Sequence, residues 1–231
     1  FLTMQPGHPL ALSGLEGAEL AMRWSEEPTR YAVKQEEVFI SNRGEFSPML
    51  NRRGDRLYFT SSRETSRGEE RSPMTGMKYN DIYFSETNVH GVWQQPKRVE
   101  TSLNTEFDEG TPAFSPDGEW MYYTYSYADP NRGTTPEIHV SRNVNGEWSG
   151  CRALEFPGDS LWIFAHPAPS PCGNYLYFVS DMPGGQGGKD IWRAKLKGST
   201  EVLSIENMGP RINSPGDEMF PYARNDSTLY F

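Results

Sequence analysis

A glycine-rich loop carrying a lysine, "MPGGQGGKD" at residues 182–190, is the first stretch of this sequence that could do chemistry. A phosphate-binding P-loop has the pattern G-x-x-x-x-G-K followed by Ser or Thr, and it opens a helix. Here Pro183 stands at the first glycine position and Asp190 at the hydroxyl position, and the flanking "LYFVS" and "DIWRA" have the composition of strands. The loop is therefore predicted to be a flexible connection between two strands.

One set of ionisable residues recurs at matching positions and is the candidate binding set: Glu45, Glu109, His166 and Glu218. Each lies three residues before a proline. A ring of such side chains around one mouth of a channel would capture a basic peptide or a cation. The alternative, which we favour, is that each carboxylate accepts hydrogen bonds from backbone amides of the preceding linker.

No other constellation in the sequence indicates a catalytic or metal site. The patterns G-x-S-x-G and H-E-x-x-H do not occur. The histidines are scattered without the spacing of metal ligands: His8, His90, His139 and His166. The stretch "SPDGEW" at residues 115–120 resembles the sialidase Asp-box S-x-D-x-G-x-x-W, but it lacks the residue between Asp117 and Gly118. We expect no catalytic residue, no metal and no cofactor.

The elements that must position these residues come from an internal repeat, which begins at each member of the candidate set. Every unit has a proline three residues on, then a polar turn such as "NRRGD" or "SPDGE", then an aromatic strand such as "LYF" or "MYY". The prolines matched in this way are Pro48, Pro112, Pro169 and Pro221. Each unit therefore opens with an inner strand and a second, aromatic strand.

Each repeat continues with a third strand that starts with an acid and an isoleucine, as in "DIYFS", "EIHVS" and "DIWRA". We expect the isoleucine to pack between repeats and the acids Asp81, Glu137 and Asp190 to be structural. A glycine turn, a tryptophan and a fourth strand follow in two repeats. Four antiparallel strands repeated radially predict an all-β fold, a β-propeller of four-stranded blades.

The domain boundary is predicted near residue 30. Residues 31–231 would form the propeller, incomplete at its C-terminal end because the fourth unit stops in its second strand. Residues 1–30 would be helical, with Leu12, Leu15, Ala18 and Met22 at helical spacing in a helix over 9–24. The stretch "YAVKQEEVFISNRGE" from Tyr31 is predicted to be an outermost strand with its linker.

Composition excludes several classes of partner. The 231 residues carry a formal charge of −9 and a pI of about 5.0, which argues against nucleic acid and against anionic lipid. No run of apolar residues is long enough to span a membrane, so we expect no direct membrane insertion by this segment. We expect the two cysteines, Cys151 and Cys172, to be unpaired, because they fall at different distances from the propeller axis.

The sequences of the repeats resemble those of known families. The "SPDG" turn with its aromatic strand looks like the repeats of TolB-like propellers, which implies six blades. "HPAPSPCGNYLYFVSDMPGGQGGKDIW" resembles a variant found in OmpA-family, outer-membrane-associated lipoproteins, and "PGHPLALSGLEGAELA" looks like the closing helix of a tetratricopeptide repeat. A helical repeat followed by such a propeller resembles the PorE family of type IX secretion components. That family binds peptidoglycan through a downstream domain that this chain does not contain.

These patterns together predict a non-catalytic scaffold for protein–protein contacts, periplasmic and outer-membrane associated, with other proteins of the envelope or secretion complex as partners. One alternative is a propeller enzyme or enzyme-associated domain, glycan-active or gating a peptidase. Another is a propeller that binds a small ligand or a cation in its channel. The propeller fold alone does not decide between them.

Overall fold

The computed structural model of the protein describes residues 4–27, 29–72, 75–129, 133–157 and 162–231. The chain divides into two compact units, Phe1–Glu37 and Val38–Phe231. The first unit contains the helix α1, Pro9–Glu26, which starts with a proline in its first turn, where no backbone N–H is needed. The predicted helix is confirmed. Leu15 and Met22 are 47% and 71% exposed on it.

The second unit contains three four-stranded antiparallel sheets and one hairpin in the part of the chain that is described. The first sheet consists of β1 Glu45–Leu50, β2 Arg56–Ser61, β3 Asp81–Glu86 and β4 Lys97–Arg98. The second sheet consists of β5 Asp108–Phe114, β6 Trp120–Asp129, β7 Gly133–Val144 and β8 Glu147–Ala153. The third sheet consists of β9 Ala165–Pro169, β10 Tyr175–Ser180, β11 Asp190–Lys197 and β12 Glu201–Asn207. The hairpin pairs β13 Tyr222–Asn225 with β14 Thr228–Tyr230.

Strand order within each sheet follows the chain, and the first strands of neighbouring sheets lie against each other. β1 contacts β5, β5 contacts β9, and β9 contacts β13. Sheets that meet along their first strands share one axis, which is the geometry of β-propeller blades. The predicted all-β propeller with an N-terminal helix is confirmed. The total number of blades stays a prediction.

The prediction of a strand from Tyr31 is wrong. Residues Glu37–Phe39 form a single 3-10 turn, and no described residue between 29 and 44 belongs to a strand. The ring of Phe39 packs edge-on against those of Phe59 and Trp93, with centroids 5.7 and 5.9 Å away. Phe39 therefore contacts the first blade through its ring and through its carbonyl, which accepts a hydrogen bond from Arg63 Nη2 at 2.6 Å.

The hydrophobic core consists of two clusters, one between each pair of neighbouring sheets. The cluster between the first and second blades includes Tyr58, Met121 and Trp148, and the next includes Phe164 and Phe178. The isoleucines that open each third strand are at most 1% exposed, as predicted: Ile82, Ile138 and Ile191.

The glycine-rich loop is packed tightly against the linker that follows the third blade. A Cβ at Gly187 would lie 2.4 Å from the carbonyl oxygen of Gly216 and 2.5 Å from that of Ser214. The Gly188 N–H donates to the Gly216 carbonyl at 2.9 Å. Glycine is therefore needed here for close backbone approach, not for flexibility or phosphate binding.

Both cysteines are free, as predicted. Cys151 is half-buried, with its Sγ 3.6 Å from the Ser102 hydroxyl. Cys172 is exposed in the turn after β9, with its Sγ 3.3 Å from the Ser170 hydroxyl.

Candidate functional site

Three of the four candidate residues occupy equivalent positions where the chain leads into an inner strand, and the fourth does not. The Glu109 N–H donates to Asn80 O at 3.0 Å, and the Glu218 N–H donates to Lys189 O at 2.8 Å. In the third blade the corresponding bond, 3.0 Å to Pro136 O, comes from Phe164. Phe164, not His166, is therefore the counterpart of the glutamates.

The expected position of His166 is wrong because the third inner strand contains two prolines, two residues apart. Pro167 lies six residues before the turn glycine Gly173, as Pro48 lies before Gly54 and Pro112 before Gly118, whereas Pro169 lies four residues before it. The pairing register agrees, since Ala165 faces Val179 as Gly110 faces Thr124. Pro167 is the repeat proline.

The glutamates are tied to the linker that precedes them. Each accepts a hydrogen bond from a hydroxyl four residues earlier in the chain, in the pairs Ser41–Glu45, Thr105–Glu109 and Ser214–Glu218. Glu109 also accepts the Thr105 N–H at 3.0 Å. The structural alternative expected the backbone amides of the linker as donors; in these three pairs the donor is a hydroxyl, and of the three glutamates Glu109 also accepts a linker N–H. The binding role of Glu45, Glu109, His166 and Glu218 stays a prediction, and Glu109, which is 0% exposed, offers no surface to a partner.

Burial raises the pKa of Glu109 to about 8, while the hydrogen bonds from Thr105 act in the opposite direction. The side chain is enclosed where the second inner strand meets the first blade, and no described cation lies within ion-pair distance of it. Its neutral form is therefore the stable one inside the fold near neutral pH.

The linker motif that recurs as "NTEFDE" and "NSPGDE" joins consecutive blades. Asn104 accepts the Ile82 N–H at 2.8 Å and donates to the carbonyls of Ile82 and Val99 at 2.9 and 3.0 Å. Asn213 makes the same pair of bonds to Ile191, at 2.8 and 3.0 Å. A side-chain amide thus pairs backbone groups at the start of the third strand that would otherwise lack partners.

His166 belongs to a different ring, formed by the residue before each repeat proline. Its members have positive φ values of 49–54°, which non-glycine residues rarely adopt: Ser47, Thr111, His166 and Phe220. They line a cavity of about 170 Å³ that residues of all four inner strands enclose. We call it the axial cavity.

The pairing between each inner strand and its aromatic strand shifts at a β-bulge beside these residues. The backbone N–H of the positive-φ residue there needs a hydrogen-bond acceptor. The Thr111 N–H donates to Thr60 Oγ1 at 2.8 Å, and the His166 N–H donates to Thr124 Oγ1 at 2.9 Å. The third blade has Val179 at this position, and the Phe220 N–H donates to His166 Nδ1 at 3.3 Å. The imidazole therefore replaces a missing threonine hydroxyl.

The His166 ring stacks on Phe220 with centroids 4.0 Å apart. Burial lowers the pKa of His166 to about 4, and the charge of Lys189 adds to the effect. A neutral ring is what the Phe220 N–H requires, because a protonated Nδ1 could not accept its hydrogen bond. His139 is also held neutral: burial lowers its pKa although Glu137 lies 3.4 Å from its Nε2.

A groove of about 860 Å³ lies at the outer edge of the first blade. We call it the blade-edge groove. It runs along β4, which has two residues where β8 and β12 have seven. Tyr58, Phe84 and Trp148 form its apolar wall, and Lys97 and Arg98 lie along β4. A volume near 300–1,000 Å³ with apolar walls and a few polar groups is typical of binding sites.

Within the described ranges no group of three or more His, Cys, Asp or Glu residues could hold a metal ion. In the same ranges no helix is long and apolar enough to cross a membrane.

The fold and its axial ring define the class of the chain, a β-propeller of four-stranded blades. No protein-family model and no curated protein matches the sequence. One similar solved structure is TolB from Acinetobacter baumannii, with a TM-score of 0.45 and 18% identity over 70% of this chain. Another is a puromycin-hydrolyzing peptidase from Mycobacterium tuberculosis, with a TM-score of 0.46 and 18% identity over 73% of this chain. A third is a Dyadobacter fermentans protein of unknown function, with a TM-score of 0.48 and 11% identity over 78% of this chain. The chain spans 31%, 24% and 53% of those chains, and the likeness is one of fold alone.

Proposed function

We propose that the protein is a non-catalytic interaction scaffold of the bacterial envelope and that the blade-edge groove is its principal docking surface. The observation that carries the proposal is the groove itself, about 860 Å³ with an aromatic wall and an edge that holds three cations, Arg56, Lys97 and Arg98, beside two carboxylates, Glu100 and Glu147. An extended segment of a partner fits such a site, with apolar side chains against the wall and a carboxylate near the cations.

The groove is held in shape by contacts beneath it. Trp148 Nε1 donates to Tyr58 Oη at 3.2 Å, and the Trp148 ring stacks on Phe114 with centroids 5.6 Å apart. Arg98 is bound to Glu100 at 2.9 Å, and Arg56 lies over the Phe84 ring at 4.8 Å. Lys97 is exposed on β4, and no described carboxylate lies within ion-pair distance of it. A rigid aromatic wall limits the conformational entropy that this protein loses when a partner binds.

The proposed location in the cell envelope is supported by the sequence. The repeat wording that resembles OmpA-family propellers, and the helix that resembles a tetratricopeptide end, support a periplasmic, outer-membrane-associated component of a type IX secretion system. A net charge of −9 supports protein partners over nucleic acid.

The test is quantitative co-isolation of partner proteins from an envelope extract by the wild type and two charge-reversed variants. Lys97→Glu changes the groove, and Lys195→Glu makes the same change at an exposed position of β11 on another blade. We expect Lys97→Glu to lose at least one partner by tenfold or more and Lys195→Glu to keep it. Identical recovery by all three proteins, with equal melting temperatures, would reject the groove as a docking surface.

A further inference from the structure

The inner strands enclose a second cavity at the end where each of them turns into the aromatic strand. It measures about 240 Å³, and residues of all three blades and of the hairpin line it. We call it the turn-end cavity. Its walls are largely apolar, with Leu50, Phe114 and Pro171 among them.

Two arginines line this cavity, and none of its lining residues carries a carboxylate. They are Arg52, in the turn after the first inner strand, and Arg224 in the hairpin, and both are exposed. Arg224 Nη1 donates to Tyr230 Oη at 3.2 Å, and no described acid lies within ion-pair distance of either arginine.

The acids nearest to this end are engaged in their own turns. Asp55 accepts from Asn51 Nδ2 at 2.8 Å and is paired with Arg53 at 3.1 Å. Asp117 accepts from the Ser115 hydroxyl and from the Glu119 N–H at 2.9 Å. The third turn has Cys172 in place of an acid, and Asp226 lies in the exposed turn of the hairpin. The charge of Arg52 also acts on Asp117, so the positive charge of the cavity lining is compensated in part at Arg52 and not at Arg224.

We infer that the turn-end cavity binds the C-terminal carboxylate of a partner chain. Guanidinium groups bind carboxylates through paired N–H donors, and the apolar wall would take the last side chain of the partner. A chain end suits a cavity of about 240 Å³ better than a segment that must enter and leave. The inference rests on the proposed binding function but uses a separate site.

The test uses fluorescence anisotropy with three fluorescein-labelled hexapeptide pools of random sequence. The first ends in Leu, Val or Phe with a free carboxylate, the second is the same pool amidated, and the third is amidated with a central Asp. We expect the first pool to bind at least tenfold more tightly than the other two, with affinity falling as salt rises. Equal binding of the amidated pool, or no binding of any pool, would overturn the inference. Preference for the central Asp would assign the cavity to an internal acidic segment and overturn it as well.

Matched variants connect the binding to the arginines. Arg52→Gln/Arg224→Gln should lose the first pool by tenfold or more, whereas Arg53→Gln, at an exposed neighbour outside the cavity, should bind as the wild type does. Lys97→Glu should also leave peptide binding unchanged, so a failure at the groove is distinguishable from a failure at this cavity. Wild-type affinity in the double variant, with an unchanged melting temperature, would contradict the assignment.

Discussion

Replacing Glu109 by Gln should stabilise the protein increasingly as pH rises. The Glu109 side chain is 0% exposed and accepts hydrogen bonds only from Thr105. A glutamine amide reproduces both contacts, because its oxygen can accept the Thr105 N–H and its NH₂ can donate to the Thr105 hydroxyl. The variant therefore imitates the neutral acid and removes the cost of burying a charge.

The expected magnitude follows from proton linkage. The pKa of Glu109 is raised by burial from 4.5 to about 8, so between these values the unfolded chain is ionised while the folded chain still holds the proton. The free energy of unfolding then falls by about 1.4 kcal/mol per pH unit as pH rises, and stabilisation by this group is complete only below the unfolded pKa. Between about pH 5.5 and about pH 7.5 the loss amounts to about 2.5 kcal/mol, and Glu109→Gln should abolish that part of it.

The assay is urea unfolding of the wild type and Glu109→Gln at several pH values across this window. Asp81, whose pKa burial raises to about 6, acts in the same direction, and its charge also acts on Glu109, so the comparison is repeated in an Asp81→Asn background. Glu119→Gln, at a 57% exposed side chain, controls for the chemical change on the surface. Parallel stability profiles for the wild type and Glu109→Gln would refute the reasoning and show that the folded protein accommodates the charged carboxylate.

Three further changes test the fold at named positions by denaturant unfolding. Gly187→Ala should lower the free energy of unfolding by about 1–3 kcal/mol because its Cβ would clash with two carbonyl oxygens. Gly44→Ala, whose Cβ would have no atom within 4 Å, should leave it unchanged, and equal effects would contradict the close packing. His166→Ala should lower the free energy of unfolding by about 1–3 kcal/mol because the Phe220 N–H loses its acceptor. The loss should be smaller in a Val179→Thr background, which supplies the hydroxyl found in the other blades. An undiminished cost there would show that the imidazole is not an acceptor. Asn104→Ala should cost at least about 2 kcal/mol because three buried backbone bonds are lost, and a smaller loss would mean that the linker does not join the blades.

The repeat could be predicted from the sequence because its signals are local. The aromatic strands, the polar turns and the acid-isoleucine start of each third strand are short patterns of residues adjacent in sequence. In the first two blades these patterns also predicted the correct start of the inner strand. The structural role of the glutamates was also predictable, since each follows a linker residue with a hydroxyl. The sequence signal for it is the spacing Ser/Thr-x-x-x-Glu.

The placement of His166 depended on a choice between Pro167 and Pro169, which the distance to the turn glycine Gly173 and the cross-strand pairing both resolve in favour of Pro167. Its role as an acceptor for the Phe220 N–H depends on the neighbouring strand, where Val179 replaces a threonine, although "LYFVS" beside "LYFTS" and "MYYTY" carries that signal. The blade-edge groove was not predicted at all. It arises from the length of β4 and from Trp148 of the next blade, which are distant in sequence and meet only in the fold.

Site-specific photo-crosslinking in the native cell tests the central claim most directly. A benzophenone side chain in place of Lys97 probes the blade-edge groove, and the same side chain in place of Lys195 probes an exposed strand of another blade. The account predicts a discrete adduct with another envelope protein from position 97 and none from position 195. No adduct at position 97, or the same adduct from both positions, would contradict the groove as the docking surface of this propeller.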